Sequence, residues 1–513
     1  MSFASKIFTG LIAFTAGLSQ EQTNGVSKWD TFDAPRLHRF LDHGHGIPWG
    51  SKTCTNADPY TEAPETGETV RYEFTIERHP MAPDGYKKDV LLVNGQFPGP
   101  LIEANWGDNI EGNALPYDID LGPVFLNEWY HKDYLQLIDD VVGIDQSLWN
   151  PIADNNMING KMDYDCSLVT DGTPCISNAG LAKFNFTKGV THRLRLINGG
   201  SASLQHVSID GHEMTVISND FVAVEPYNTR IVTLAVGQRT DVLVTATGDS
   251  NDAYWMRSTI ANDRACSYSN QPNALAAIYY NDANPNTRPN STMWPPKTDQ
   301  GLCENDPLTQ AVPLYPIPAD LDPSVTQELD FSWTTNETGH QVWMVNDSGF
   351  RANYNHPILD LAASGNTSHP WNPEWNVYNM GQSRTVRVVM YNNSTMYHPM
   401  HLHGHNVQIL SSGPGYWDGR TIVQSENPAR RDVYQLPPNR HLVIQYVQDN
   451  PGVWPLHCHI AWHLSTGMFA SMMERAEDIE KMSGEWKGEM ERVCANWKVY
   501  TRNNVVDQVD SGV

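Results

Sequence analysis

The sequence predicts an all-β fold: several β-sandwiches in series, closed by a short C-terminal helix and tail. Three observations predict it. A chain of 513 residues corresponds to about three domains at ~150 residues each. Its strongest periodic stretches alternate apolar and polar residues with period two, the mark of half-buried strands. Its 37 Gly and 33 Pro break the chain too often for a helical bundle, while 40 % hydrophobic residues are too many for disorder.

The elements follow in chain order. Lys6, the apolar run Ile7 to Leu18 and the small residues Gly17 and Ser19 read as a secretory signal over residues 1–19, with a buried strand as the alternative. That run is too short to span a bilayer, and no later stretch approaches ~20 uninterrupted apolar residues. A soluble, secreted, extracellular protein is expected. Residues 20–65 read as an N-terminal arm. Val70, Tyr72, Phe74 and Ile76, separated by Arg71, Glu73 and Thr75, predict the first strand. Turns follow at Asn94-Gly95 and Pro98-Gly99. Residues 230–247 (RIVTLAVGQRTDVLVTAT) read as two strands broken at Gly237-Gln238. Thr385 to Met390 and Leu442 to Val447 are further strands. Only Met472 to Asn496 has the Glu, Lys, Met and Ala content of a helix.

Charge narrows the partners. The 34 Lys and Arg stand against 59 Asp and Glu, a net charge of −25. DNA, RNA and anionic membrane surfaces need a basic footprint, so none is expected as partner. Asn-X-Ser/Thr sequons begin at Asn185, Asn290, Asn336, Asn346, Asn366, Asn392 and Asn393, which predicts N-glycans on a secretory route. The last two overlap, so one of that pair at most is used. Seven cysteines are an odd number, and in a secreted chain one thiol is left over and needs a reason.

Two short segments supply that reason. One runs His398-Pro399-Met400-His401-Leu402-His403-Gly404-His405, and the other His457-Cys458-His459, continuing to His463 and Met468. In an extended segment residues i and i+2 face the same way. His401 and His403 therefore share one side, as do His457 and His459, while Cys458 faces the opposite way. One strand can serve two metal sites. Two imidazoles, one thiolate and a distant thioether make the trigonal blue-copper site of electron transfer. His398, Cys458 and His463 supply the strong ligands, with Met468 as the axial candidate. A metal-bound thiolate cannot enter a disulfide, which accounts for the odd cysteine. Zinc also takes Cys and His, but seven convergent ligands are too many for one tetrahedral zinc.

At these residues the chain resembles the multicopper oxidases, most closely the laccase-like enzymes of ascomycete fungi. Further segments carry the likeness: VNGQFPGPLIEANWGDNI (93–110), DIDLGPVFLNEWYHKDY (118–134) and LAVGQRTDVLV (234–244). The resemblance implies three cupredoxin-like sandwich domains, at 66–116 (truncated), 117–300 and 301–500, followed by a tail at 501–513. It makes His398, Cys458 and His463 type 1 copper ligands, His401 a type 2 ligand, and His403, His457 and His459 type 3 ligands. Cys458 with His457 and His459 would carry electrons between the centres. It also implies oxidation of small aromatic reductants, phenols or aromatic amines, coupled to reduction of dioxygen to water, in a monomer with four coppers. The last residues, Asp510-Ser511-Gly512-Val513, resemble a carboxyl-terminal plug of the family; a frayed end is the alternative.

The chain departs from the family in one place. The trinuclear copper cluster of the family takes eight histidines, half of them from two HxH pairs in the first domain. Here the HxH pairs are His43/His45, His401/His403, His403/His405 and His457/His459. After Trp106 to Ile110 the chain passes through Glu111 to Leu115 and is at once in the second-domain opening at Tyr117. The missing stretch amounts to roughly half a sandwich domain of about 100 residues. It reads as a splice variant or a gene model with an exon lost. His43 and His45 sit in the arm beside Gly44, Gly46 and Pro48, and a flexible arm fixes ligand geometry poorly. Fewer than four coppers are therefore expected, with oxygen reduction impaired.

The resemblance also bears on the other candidates. Cys166 with Cys175, and Cys266 with Cys303, would each close a loop. Cys494 resembles a cysteine that bridges to the first domain, whose partner lies in the missing stretch; Cys54 substitutes, or both are free. His131, His206 and His212 read as structural. The loop Gly199 to Ser203 offers no carboxylate to hold a phenol. Two rival functions remain: a non-catalytic type 1 copper-binding or electron-transfer protein, and a multicopper oxidase whose donor is ferrous iron or ascorbate.

Overall fold

The computed structural model describes residues 55–56, 58, 72–102, 115–261, 268–296, 303–367, 372–482, 484 and 486–503. The secretory signal, His43 and His45, Cys54, Cys266, the stretch Glu111 to Ala114 and the tail Asp510 to Val513 lie outside them. Strands dominate the regular structure of the described residues, and four of the five sheets stack pairwise as cupredoxin-like sandwiches.

The second domain pairs a five-stranded with a six-stranded sheet. The first runs, in spatial order, Val232–Leu234, Gln205–Ile209, Ala253–Ile260, Asn273–Tyr280 and Ala182–Phe186. The second runs Asn155–Ile158, Ile119–Trp129, Thr191–Asn198, Arg239–Thr245, Met214–Asn219 and Val222–Thr229. Their inner faces meet in one apolar cluster that includes Phe184, Leu194, Val216, Val242 and Ile278, as expected of alternating strands in a sandwich. The break at Gly237-Gln238 is where expected, between Val232–Leu234 and Arg239–Thr245.

The third domain pairs a seven-stranded with a five-stranded sheet. The larger is Ser348–Gly349, Gln341–Val345, Val325–Thr335, Thr385–Asn392, Arg440–Val447, Val407–Pro414 and Ala429–Arg431. The smaller is Val377–Asn379, Phe469–Glu474, Gly452–Cys458, His398–Leu402 and Val433–Leu436. Its core contains Leu329, Phe331, Trp343, Ile444, Cys458 and Met468.

Of the first domain, the described residues form only the antiparallel hairpin Ile76–Met81 and Lys88–Val93. Val90 and Leu92 pack with Trp129 and Met157 of the second domain. The opposite face has no cover among the described residues: Ile76 is 69 % and Leu91 46 % exposed. The strand expected at Val70 to Ile76 begins only at Ile76, and Tyr72 to Thr75 precede it as irregular chain. The alternation there is real, but the facing sheet that would bury Phe74 is not among the described strands.

The helix expectation needs two corrections. Met472 to Glu474 belong to the strand Phe469–Glu474, because they pair with Gly452–Cys458 (Trp454 opposite Met472, Gly452 opposite Glu474). Helices are also more numerous: α1 (Tyr134–Val142), α2 (Ile358–Ala363), α3 (Ala461–Ser465), α4 (Ala476–Met482) and α5 (Lys487–Tyr500). In α1, the Asp133 side chain caps the helix by accepting from the Leu135 N–H at 2.9 Å. Leu137 and Val141, one turn apart, enter the third-domain core.

Cys166 and Cys175 form a disulfide. Cys303 is disulfide-bonded. Cys458 and Cys494 are free thiols. Among the sequons, Asn185, Asn290, Asn346, Asn366 and Asn393 are exposed, whereas Asn392 is buried.

Candidate metal centre

Strand register builds the site. His398–Leu402 runs antiparallel to Gly452–Cys458, with Met400 opposite Cys458 and His401 opposite His457. Cross-strand partners share a face of the sheet. Cys458 therefore points with Met400 into the sandwich core, and His457 points with His401 out of the other side. Alternation within two paired strands separates a thiolate group from a histidine group.

On the core side, the Cys458 Sγ lies 3.7 Å from His398 Nδ1 and 3.5 Å from His463 Nδ1. The two Nδ1 atoms are 3.1 Å apart. His463 arrives on α3, one helical turn beyond the strand end. All three side chains are buried. Trp343 packs against both imidazoles with ring centroids 4.7 Å away. Met468 is fully buried in the same core; its N–H donates to the His463 carbonyl at 3.0 Å, and its carbonyl accepts from the Cys458 N–H at 3.3 Å. Burial sets the protonation of the group. It lowers His463 to about 3 and holds His398 well below the usual histidine range, helped by its neighbour His463. Both imidazoles are neutral at pH 7 with a lone pair to offer. Burial pushes the Cys458 thiol up, so a metal must displace its proton.

On the other side, the donor atoms of His401, His403 and His457 lie within 4.8 Å of one another, with His403 Nε2 3.0 Å from His457 Nε2. His401 Nδ1 bonds the Asp432 carbonyl at 2.8 Å, and His457 Nδ1 bonds the Cys458 carbonyl at 2.8 Å. A carbonyl can only accept, so each Nδ1 carries a proton, and in the neutral form of the ring the lone pair is on Nε2. Burial and the neighbouring imidazoles lower His457 to about 3 and His403 to about 4. His459, similarly depressed by burial, stands at the margin, its ring 5.7 Å from that of His401. Four other described histidines are engaged elsewhere. His405 turns to Glu474, Nε2 to Oε1 3.1 Å. His131 bonds Asp84 at 2.8 Å, His206 bonds Thr233 at 3.2 Å and His212 bonds Tyr280 at 2.7 Å.

These donors suit copper. A buried cysteine sulfur with two neutral imidazoles is the soft, low-coordinate set of an electron-transfer copper, and bare Nε2 atoms converging on one space suit further copper.

Sequence reasoning missed the second-domain residues that brace the site. Arg239 grips the Asp432 carboxylate through both terminal nitrogens at 2.7 Å, steadying the residue whose carbonyl orients His401. Gly237 has φ +84°, and a Cβ there would lie 2.5 Å from His459 Cδ2. We expect Gly237→Ala to lower stability by about 2–4 kcal/mol, from left-handed strain and overpacking together, while any blue colour persists. Thermal unfolding and a visible spectrum check this. A carboxylate does reach the loop Gly199 to Ser203, from Glu128 on Ile119–Trp129. Its Oε1 accepts from the Ser201 and Ala202 N–H groups, both at 2.6 Å. The Ser201 carbonyl in turn accepts from the N–H of Ala461, which opens α3. Burial raises the Glu128 carboxyl above the usual range. Glu128 thus braces the ligand-bearing helix rather than facing a substrate.

Comparison with known proteins completes the picture. Multicopper oxidase family profiles match residues 65–115, 120–283 and 334–478. The chain is 30 % identical to Oxidoreductase OpS5 of Beauveria bassiana, covering 93 % of each sequence. It is 29 % identical to Laccase-1 of Melanocarpus albomyces, covering 91 % of this chain and 88 % of that one. The OpS5 alignment spans 575 positions; 93 % of 513 residues is about 477, so about 98 of those positions have no residue here. The crystal structure of the laccase from Botrytis aclada superposes with a TM-score of 0.80 at 27 % identity, over 91 % of this chain and 98 % of that one. Family profiles, full-length relatives and the shared three-domain fold agree that the chain belongs to the multicopper oxidases.

Proposed function

We propose that this is a laccase-like oxidase: phenols or aromatic amines are oxidised one electron at a time and dioxygen is reduced to water. The observation that carries the reading is the single run His457-Cys458-His459, whose neighbours point to opposite faces of one sheet. His398, Cys458, His463 and Met468 would hold type 1 copper, His401 would hold type 2, and His403, His457 and His459 would hold type 3. Bound copper supplies one-electron transfer at the thiolate group and oxygen reduction at the histidine group. The chain's own contribution is geometric. Cys458 is joined to His457 by one peptide unit, so the two donor groups are connected by covalent bonds. Neutral imidazoles keep their lone pairs available, and the buried core around Cys458 excludes water.

The remaining expectations belong to the same reading: domain boundaries near 116 and 300, a secreted monomer, and N-glycans at exposed sequons. Dioxygen and small aromatic reductants are its partners. Oxygen uptake in a version carrying the missing first-domain segment tests the donor class. We expect phenols and aromatic amines to drive faster uptake than ferrous iron or ascorbate; the opposite ranking would assign the rival donor. One observation favours a second reading for the chain as it stands. The thiolate group is complete, whereas the histidine group has four of the family's eight ligands. A protein that turns blue with copper yet takes up no oxygen would be an electron-transfer protein.

A further inference from the structure

We infer that Ser394, oriented by Asn392, is a positioning residue that selects the tautomer of His398 and so presents Nδ1 to the thiolate site. This rests on the reading of His398, Cys458 and His463 as a copper site.

One hydrogen-bond relay links Asn392, Ser394 and His398. The Asn392 Nδ2 contacts the carbonyls of Met396, Leu436 and Pro437 at 2.8, 3.3 and 3.0 Å. Carbonyls only accept, so the amide orientation is fixed and Oδ1 faces the other way. There it accepts from the Ser394 N–H at 2.9 Å and the Ser394 O–H at 2.7 Å. With its only proton committed to this shorter bond rather than to the Met396 carbonyl 3.5 Å away, the Ser394 Oγ has two lone pairs left. One accepts from the Met396 N–H at 3.2 Å. The other faces His398 Nε2 at 3.0 Å. That contact is a hydrogen bond only if Nε2 carries the proton. In the neutral ring a proton on Nε2 leaves the lone pair on Nδ1, and Nδ1 is the atom beside Cys458 Sγ and His463 Nδ1.

All three members are sealed from water: Asn392 is 1 %, Ser394 4 % and His398 0 % exposed. No solvent molecule can replace a lost partner without a cavity to hold it. His401 and His457 in the histidine group follow the opposite rule, each donating its Nδ1–H to a backbone carbonyl. The serine hydroxyl is what makes His398 different. The relay also removes Asn392 from glycosylation, because the nitrogen that would carry the sugar holds three carbonyls.

Copper-free protein with ¹⁵N-labelled histidine tests this without any metal or activity. The His398 signals, assigned by their loss in His398→Gln, should report an Nε2–H imidazole in the wild type. In Ser394→Ala that preference should disappear. With copper, the alanine variant should bind about 10–100-fold more weakly and shift or weaken the blue absorption, while Ser394→Thr keeps the hydroxyl and restores both. A wild-type His398 protonated on Nδ1 would overturn the inference without any variant. So would an alanine variant with unchanged tautomer, affinity and colour. Wild-type protein that binds copper without turning blue would instead overturn the copper reading, which the metal-free spectrum distinguishes.

Discussion

Cys458→Ser should abolish blue absorption completely and lower the copper content by one per chain. The colour of such a site arises from charge transfer between thiolate sulfur and copper, and a serine oxygen is a hard, weakly acidic donor that cannot replace it. The expected cost to the fold is small beside this. Cys458 is fully buried, so a hydroxyl of similar size there costs about 1–3 kcal/mol through imperfect hydrogen bonding. The variant should keep the β-rich circular dichroism of the wild type while losing its colour. His398 and His463 would remain 3.1 Å apart as a two-imidazole site of much lower affinity. Metal analysis and a visible spectrum on both proteins decide the matter, and a serine variant that stays blue would remove Cys458 from the site.

The placement of the two histidine-rich segments is legible in the sequence because its logic is local. Two strands, each alternating with period two, suffice to place Cys458 on one face and His401, His403, His457 and His459 on the other. Nothing beyond i and i+2 is needed. Phe74 shows where local logic stops. Its alternating stretch reads as half-buried, yet Phe74 is exposed, because alternation reports a strand's preference and not the presence of a second sheet. Met472 to Glu474 fail for the opposite reason: pairing with Gly452–Cys458 overrides a helix-forming composition. Glu128 meets Ser201 across 73 residues, a contact no short motif encodes. Ser394 lies only four residues before His398, but the direction of its hydroxyl depends on carbonyls of Leu436 and Pro437 over forty residues away.

The 513-residue chain, expressed and loaded with copper, should bind fewer than four coppers and show no appreciable oxygen uptake with phenols. Of the eight histidines that the family's cluster takes, His401, His403, His457 and His459 are the third domain's share. On the proposed assignment, type 2 copper is left with one imidazole and the type 3 pair with three between them. A copper held by one imidazole binds weakly and adopts no enforced geometry, and the two oxygen-binding metals lose the opposing ligands that would fix their separation. The structure is consistent in its own terms. The three donors that converge, His401, His403 and His457, come from two adjacent strands and approach from one side. Among the described residues the first-domain remnant is a two-stranded hairpin with Ile76 and Leu91 facing outward, and an isolated hairpin is marginal in water. Inserting the missing stretch, roughly half of a sandwich domain of about 100 residues, should add the opposing histidines and a facing sheet together, restoring four coppers and phenol-driven oxygen consumption. Copper analysis and an oxygen electrode on both proteins make the comparison. Four coppers and steady uptake in the 513-residue chain would overturn the argument, and the missing ligands would then have to be sought first at His43 and His45.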